Sequence, residues 1–189
     1  KKTKKYFDAL FDVYYQYTDQ GYYDFALDTL LEIKNTIKIA EYYGDDPFAE
    51  LKLNHQLATA LNYNNEYDSS IFIHKDNLEF IKLKKQSPNT EEILEKLIRW
   101  EILILNDMAL NISLKFENSG NFEYLDDAEQ TFLRVLEITK VSNLEELNRD
   151  NYITKGNLAH IYISKSQFGK AFPLIKESYD ECIELKDIR

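Results

Sequence analysis

Three histidines, His55, His74 and His160, and one thiol, Cys182, are the side chains of this 189-residue chain best suited to metal or nucleophilic chemistry. A metal site needs several such ligands at a spacing that brings them to one helix face or one turn, as HExxH or CxxC does. Here each histidine stands alone, with no His, Cys or carboxylate at such a spacing. Cys182 has no histidine nearby in sequence to take its proton, so the thiol reads as a small apolar filler. No glycine-rich phosphate loop is present, and the carboxylate pairs Asp45–Asp46 and Glu91–Glu92 fall where helices begin, where capping and the helix dipole account for them. The sequence therefore predicts no catalytic residue, no metal, no cofactor and no enzyme.

The elements that carry these residues are helices. Five glycines and three prolines leave little material for tight turns, which argues against an all-β chain, and 30% charged beside 44% hydrophobic residues suits long amphipathic helices. Helical spacing predicts eight helices. The first places Tyr6, Leu10, Val13, Tyr14 and Tyr17 on one face. After Gly21 the second carries Tyr23, Ala26, Leu27, Leu30, Ile33, Ile37 and Ala40, stopped at Gly44. Asp46-Pro47 reads as an N-cap and first-turn pair for a third helix with Leu51, Leu57, Ala58 and Leu61, and the fourth follows through Tyr67, Ile71, Leu78 and Ile81. Ser87, Pro88 and Asn89 break the pattern before a long helix that runs to about Phe116, with Trp100 to Leu105 as its most buried stretch. Beyond Gly120 comes a helix with Leu125, Ala128, Phe132, Val135 and Leu136. Ser142 and Glu145 form a capping-box pattern for a helix with Leu147, Leu158, Ala159 and Tyr162. The last uses Phe168, Ala171, Ile175, Tyr179 and Ile183, with Pro173 expected to bend it near its start.

The helices fall into hairpins that superpose in sequence. Val13-Tyr14-x-x-Tyr17 followed by Gly21-x-Tyr23-x-x-Ala26 matches Leu57-Ala58-x-x-Leu61 followed by Asn65-x-Tyr67-x-x-Ser70. Both match Leu158-Ala159-x-x-Tyr162 followed by Ser166-x-Phe168-x-x-Ala171. The third hairpin reads Met108-Ala109-x-x-Ile112, then Gly120 and, after a short insertion, Leu125-x-x-Ala128. The small residue early in each second helix lets two helices approach closely, and one hairpin cannot bury both its faces, so neighbours must stack.

These units resemble the tetratricopeptide repeat. The resemblance implies one all-α domain over 1–189, a right-handed α-α superhelix of about four long hairpins near 4–44, 46–86, 89–140 and 142–188 with a concave groove. The small markers at 26, 70, 128 and 171 lie further apart than the ~34 residues of the ordinary repeat, so the helices are longer than usual. Long units of this kind are similar to the C-terminal sensor domains of bacterial peptide-responsive transcription regulators of the RNPP and Rgg groups, and to maltose-regulator repeat arrays. In the repeat family the first helix of each hairpin lines the groove. The matching positions are Phe11 and Tyr15; His55, Thr59, Asn62 and Tyr63; Asn106, Leu110 and Ser113; and His160, Ile163 and Ser164. Such a lining of amides, hydroxyls and rings suits an extended peptide. The basic clamp with which some repeats hold acidic C-termini is missing, its positions being Tyr15, Thr59, Leu110 and His160. His74 takes a position usually filled by a large apolar residue and is expected to be packed and hydrogen-bonded.

With 23 basic and 33 acidic side chains the formal charge is −10, which disfavours nucleic acid, anionic lipid and acidic peptides as partners of this chain itself. No apolar run of ~18 residues and no leader pattern occurs, so neither a membrane partner nor secretion is expected, and the single cysteine fits the cytoplasm. The opening on Lys1 rather than Met, in the cluster Lys1, Lys2, Lys4 and Lys5, gives the expectation of a piece of a longer protein with an upstream domain. The reading is a module that binds a short peptide or a protein: a signal-peptide-sensing domain of a transcription regulator, as a homodimer. Its alternative is a protein-interaction scaffold or a modulator of a partner enzyme.

Overall fold

The computed structural model describes residues 4–36, 42–44, 46–87, 89–142, 144 and 147–185. Among them run eight long helices and no strand: α1 (Lys4–Asp19), α2 (Tyr23–Thr36), α3 (Ala49–Tyr63), α4 (Tyr67–Lys85), α5 (Glu91–Ser119), α6 (Glu123–Ser142), α7 (Asn148–Ser164) and α8 (Phe168–Glu184). The chain is an all-α helical repeat. Ile37, Ala40, Asp45, Pro88 and Glu145, like the Lys1–Lys2 pair, lie outside the described residues.

Two compact units divide the chain, Lys1–Phe80 and Ile81–Arg189, with the division inside α4. The core of unit 1 gathers Phe7, Phe11 and Tyr14 of α1, Ala26, Leu27, Leu30 and Ile33 of α2, and Leu53, Leu57, Ala60 and Leu61 of α3. That of unit 2 gathers Ala109, Leu125, Ala128, Phe132, Leu158, Ala159, Ile161, Tyr162 and Ala171. The marker residues Ala26, Ser70, Ala128 and Ala171 are all buried to 2% or less, as the close approach of paired helices requires.

The turns repeat more faithfully than the side chains do. Gly21, Asn65, Gly120 and Ser166 occupy the same place in successive hairpins, and all four take left-handed backbone, with φ of 77°, 61°, 70° and 58°. In three hairpins the N–H one residue later returns to the helix it has just left. Tyr22 donates to the Tyr17 carbonyl at 2.9 Å, Glu66 to Leu61 at 2.9 Å and Gln167 to Tyr162 at 2.7 Å. This is the Schellman closure, which satisfies carbonyls the helix end leaves open. The third hairpin carries the insertion and uses the simpler closure instead, from Gly120 N–H to Phe116 O at 2.7 Å.

Several local expectations need correction. The buried face of α1 is Phe7–Phe11–Tyr14, and Val13 is exposed. On α4 the buried positions are Ser70, His74, Asn77 and Ile81, a polar stripe at helical spacing, whereas Ile71 and Leu78 are half-buried. Asp46 does not cap α3. Its Oδ1 accepts from Phe48 N–H at 2.9 Å, shaping the turn before Phe48, which holds the N-cap position without a side-chain bond. Ser142 is the last residue of α6 and donates to the Thr139 carbonyl at 3.1 Å, so it does not open α7. α5 does start behind a cap, but the residue is Thr90, whose Oγ1 accepts from Ile93 N–H. Along α5, Glu101, Ile102, Ile104 and Leu105 are buried while Leu103 faces solvent. On α8 only Ala171 is fully buried, and Phe168, Ile175, Tyr179 and Ile183 are exposed.

Candidate functional site

In unit 1 the predicted positions of α3 fall at i, i+4, i+7 and i+8, which puts His55, Thr59, Asn62 and Tyr63 on one helix face. α1 joins this face through Tyr15, which is half exposed and whose hydroxyl accepts from Gln56 Nε2 at 2.7 Å. Tyr63 stacks on Tyr23 of α2 with ring centroids 4.7 Å apart and planes 12° from parallel. Thr59 is turned inward along its own helix, donating to the His55 carbonyl at 3.0 Å. Phe11 is not part of this surface. It packs in the core between α1 and the 42–43 segment, its ring 5.5 Å from that of Tyr42. The strip that remains has Tyr15 and Tyr63 as its exposed groups, with Asn62 half-buried and Gln56, whose Oε1 is buried, bracing Tyr15. Gln56 was not anticipated, and only the fold reveals it by pairing it with Tyr15.

The histidines are not the singletons that their spacing suggests. His55 of α3 and His74 of α4 meet with ring centroids 6.1 Å apart. Desolvation pulls both imidazoles below their ordinary pKa, His74 to about 4 with a smaller contribution from His55. Both are therefore neutral near pH 7. His74 is packed as expected, yet its Nδ1 makes no hydrogen bond among the described residues, and nor does Nδ2 of Asn77 one turn on. Ser70, on the same stripe, donates to the Ala58 carbonyl at 2.7 Å and so ties α4 to α3. Two imidazoles alone make a poor metal site, and no cluster of three or more His, Cys, Asp or Glu forms among the described residues.

In unit 2 the predicted positions divide by burial. Asn106 is inside, its Oδ1 accepting from Thr154 Oγ1 at 2.9 Å, so its amide fastens α5 to α7 rather than facing a ligand. Ser113 is half-buried and donates to the Leu110 carbonyl at 2.7 Å. Leu110, His160 and Ile163 are exposed, and Ser164 is half-buried. Charged pairs are a further feature of this unit. Buried Glu101 receives Lys85 and, at 2.6 Å, Arg134, and buried Glu129 receives Lys165 at 2.5 Å.

Two clefts went unforeseen. One of about 590 Å³ is lined by Leu136, Thr139, Lys140, Leu144, Leu147, Asn148, Asn151 and Lys155, and Lys155 is held there by Glu177 and Glu181 at 2.9 and 2.6 Å. A smaller one, about 260 Å³, lies over the first two hairpin turns, between Gly21–Phe25 and Tyr63–Asn65. No described helix is long and apolar enough to cross a membrane.

No family model matches the chain, and no curated protein matches it in sequence. Among solved structures it is similar to the nearly identical TPR-like repeats of a kinesin light chain from Podosopora anserina. The identity is 12% and the TM-score 0.45, over 98% of this chain and 99% of that one. A variant of the same array matches at 11% identity and a TM-score of 0.40 over the whole of both chains.

Proposed function

We propose that the chain is a non-enzymatic helical-repeat binding module that takes an extended peptide on the exposed faces of its first-of-hairpin helices. In its sharper form the proposal makes it the signal-peptide-sensing domain of a bacterial transcription regulator whose DNA-binding part is a separate domain. The observation that carries the binding reading is the strip Tyr15–Gln56–Asn62–Tyr63. The Asn62 amide can donate and accept at once and the exposed rings of Tyr15 and Tyr63 can cover apolar side chains, the combination a peptide backbone requires, while Gln56, with Nε2 on the Tyr15 hydroxyl and Oε1 buried, braces the Tyr15 ring. The formal charge of −10 favours a neutral or basic peptide. The regulator reading rests on the long repeat units described above.

The test is thermal unfolding of the chain with a pool of short hydrophobic peptides. At a hundredfold excess over Kd, binding adds about 2.7 kcal/mol and raises Tm by several degrees. Asn62→Ala should abolish the shift while leaving the unliganded Tm within about 1 °C, and Tyr63→Ala should abolish it while lowering the unliganded Tm by a few degrees, since it gives up the stack on Tyr23. Asn106→Ala is a poor probe because its amide is structural. A flat response to every peptide overturns the peptide reading and favours the interaction scaffold, which the exposed apolar face of α8 supports.

A further inference from the structure

The smaller cleft, of about 260 Å³ over the first two hairpin turns of unit 1, is built mainly from rings. Tyr22, Phe25 and Tyr63 line it at 54%, 57% and 45% exposure, together with Tyr23, whose ring stacks on that of Tyr63. Tyr17 braces the first two, its ring centroid 6.5 Å from that of Tyr22 and 5.5 Å from that of Phe25. Asn64 Nδ2 donates to the Tyr23 and Ala60 carbonyls, both at 2.9 Å, so the two chain segments that carry the rings are fixed to one another. Asp24 is the charged residue of the lining. A space of this size suits one side chain rather than a whole small molecule.

We infer that this cleft receives the guanidinium of an arginine from a protein or peptide partner. Aromatic rings are negative on their faces and attract a cation laid over them, and a guanidinium, planar and weakly hydrated, gives up less than an ammonium on leaving water. The charge of the surroundings selects a cation over a neutral group. Residues 6–33 hold six carboxylates and residues 53–74 hold two, and neither stretch contains a lysine or an arginine. The histidines of the second stretch, His55 and His74, are neutral near pH 7. Asp24 stands in the lining itself, and Asp19 and Glu66 border in sequence the two segments that form it. The helix ends do not reverse this sign. The N-terminus of α2 and the C-terminus of α3 both border the cleft, so their dipoles largely cancel and the whole charge of Asp24 remains. Unit 2 supplies cations to its own rings, with Lys115 Nζ 4.4 Å from the Tyr124 centroid and Lys170 Nζ 4.9 Å from that of Tyr162, whereas the lining of this cleft offers none. Tyr63 belongs to the peptide strip as well, but a guanidinium can enter the cleft whether or not a peptide backbone lies on that strip.

An NMR titration of the chain with N-acetyl-arginine amide tests the inference, with the citrulline amide, the same shape without the charge, as its control. Arginine should shift the amide signals of Tyr22, Asp24, Phe25 and Tyr63 saturably, with a Kd in the millimolar range for a single side chain, and citrulline should not. Phe25→Leu keeps an apolar contact with Tyr17 but loses the ring, and Asp24→Asn loses the charge. Each should weaken binding about threefold, and Phe25→Trp should tighten it. All three should keep the helical circular dichroism, since both positions are exposed. Asn62→Ala, which disrupts the strip, should leave arginine binding unchanged, so failure of the peptide reading and failure of this one are told apart. Shifts that never saturate, or that citrulline reproduces at equal strength, overturn the inference. Binding indifferent to both Phe25→Leu and Asp24→Asn overturns it too, by placing the cation elsewhere.

Discussion

The two units solve the burial of polar groups in different ways. In unit 1, α4 turns a stripe of neutral side chains inward, with Ser70, His74 and Asn77 buried to 2% or less and His55 beside them. Unit 2 buries carboxylates instead and neutralises them in pairs, Glu101 with Lys85 and Arg134, and Glu129 with Lys165. It also holds Asp107, whose carboxyl desolvation raises to about 6. Burying an imidazole favours the form without a proton, and burying a carboxyl favours the form with one. His74 and Asp107 therefore push their units in opposite directions as the pH changes.

The comparison can be broken most forcefully at the core. Phe132 is completely buried in unit 2, and Phe132→Ala should cost about 3–5 kcal/mol. Native-state hydrogen exchange should show protection falling more in α5–α7 than in α1–α3. An equal loss throughout would mean that the two units unfold as one.

Acid gives the next largest effect. The folded His74 holds its proton only below about 4, against an ordinary value of 6.5, so its contribution is fully present above pH 6.5 and is lost as pH falls from there towards 4. At about 1.4 kcal/mol for each tenfold change in proton affinity, unit 1 should lose on the order of 3 kcal/mol over that interval. Asp107 works the other way. Its folded pKa is raised, so its unit loses stability as pH rises from about 4 to about 6 and regains it on acidification. Exchange between pH 7 and pH 4.5 should show α3 and α4 loosening first. His74→Leu, which gives that position the large apolar residue usual in the repeat, should remove most of the acid sensitivity of α3 and α4 while leaving α5 unchanged.

The smallest effects lie in the turns. Ser166 and Asn65 hold left-handed backbone with a side chain attached, and Asn tolerates this better than Ser. Ser166→Gly should raise the stability of unit 2 by up to about 1 kcal/mol, and Asn65→Gly that of unit 1 by a few tenths. Urea midpoints of the two variants measure the difference, and a larger gain at Asn65 would contradict the ranking.

Much of the fold could be read from the chain because hairpins need small residues where helices touch and a left-handed residue where the chain reverses. Ala26, Ala128, Ala171, Gly21 and Gly120 supply these directly. Where reading failed, packing had overridden hydrophobicity. On α4 the repeat match places Ser70 and His74 inside, where they are, but apolar periodicity points to Ile71 and Leu78, which are only half-buried, and misses Asn77, whose amide it scores as outside. α8 was assigned a core face that its own unit leaves largely uncovered. The candidate surface was legible only in part for the same reason. Phe11 and Asn106 occupy helix positions that line a groove in the repeat family, but whether a side chain is drawn into the core depends on long-range partners, here Tyr42 and Thr154. The pairing of His55 with His74, across a hairpin, is likewise invisible to any spacing rule.

The positive φ at each hairpin turn also has a stereochemical meaning. At Gly21, Asn65, Gly120 and Ser166 the chain takes, for one residue, the conformation that mirror-image amino acids prefer. At Gly21 and Gly120 the backbone leaves open space where an L-alanine methyl would project, so crowding is not what excludes alanine there; the backbone angle is. A semisynthetic chain with D-alanine at these two sites should fold at least as stably as the natural one, and its L-alanine counterpart should be weaker. The turns of this repeat are, in that sense, specified by handedness rather than by composition.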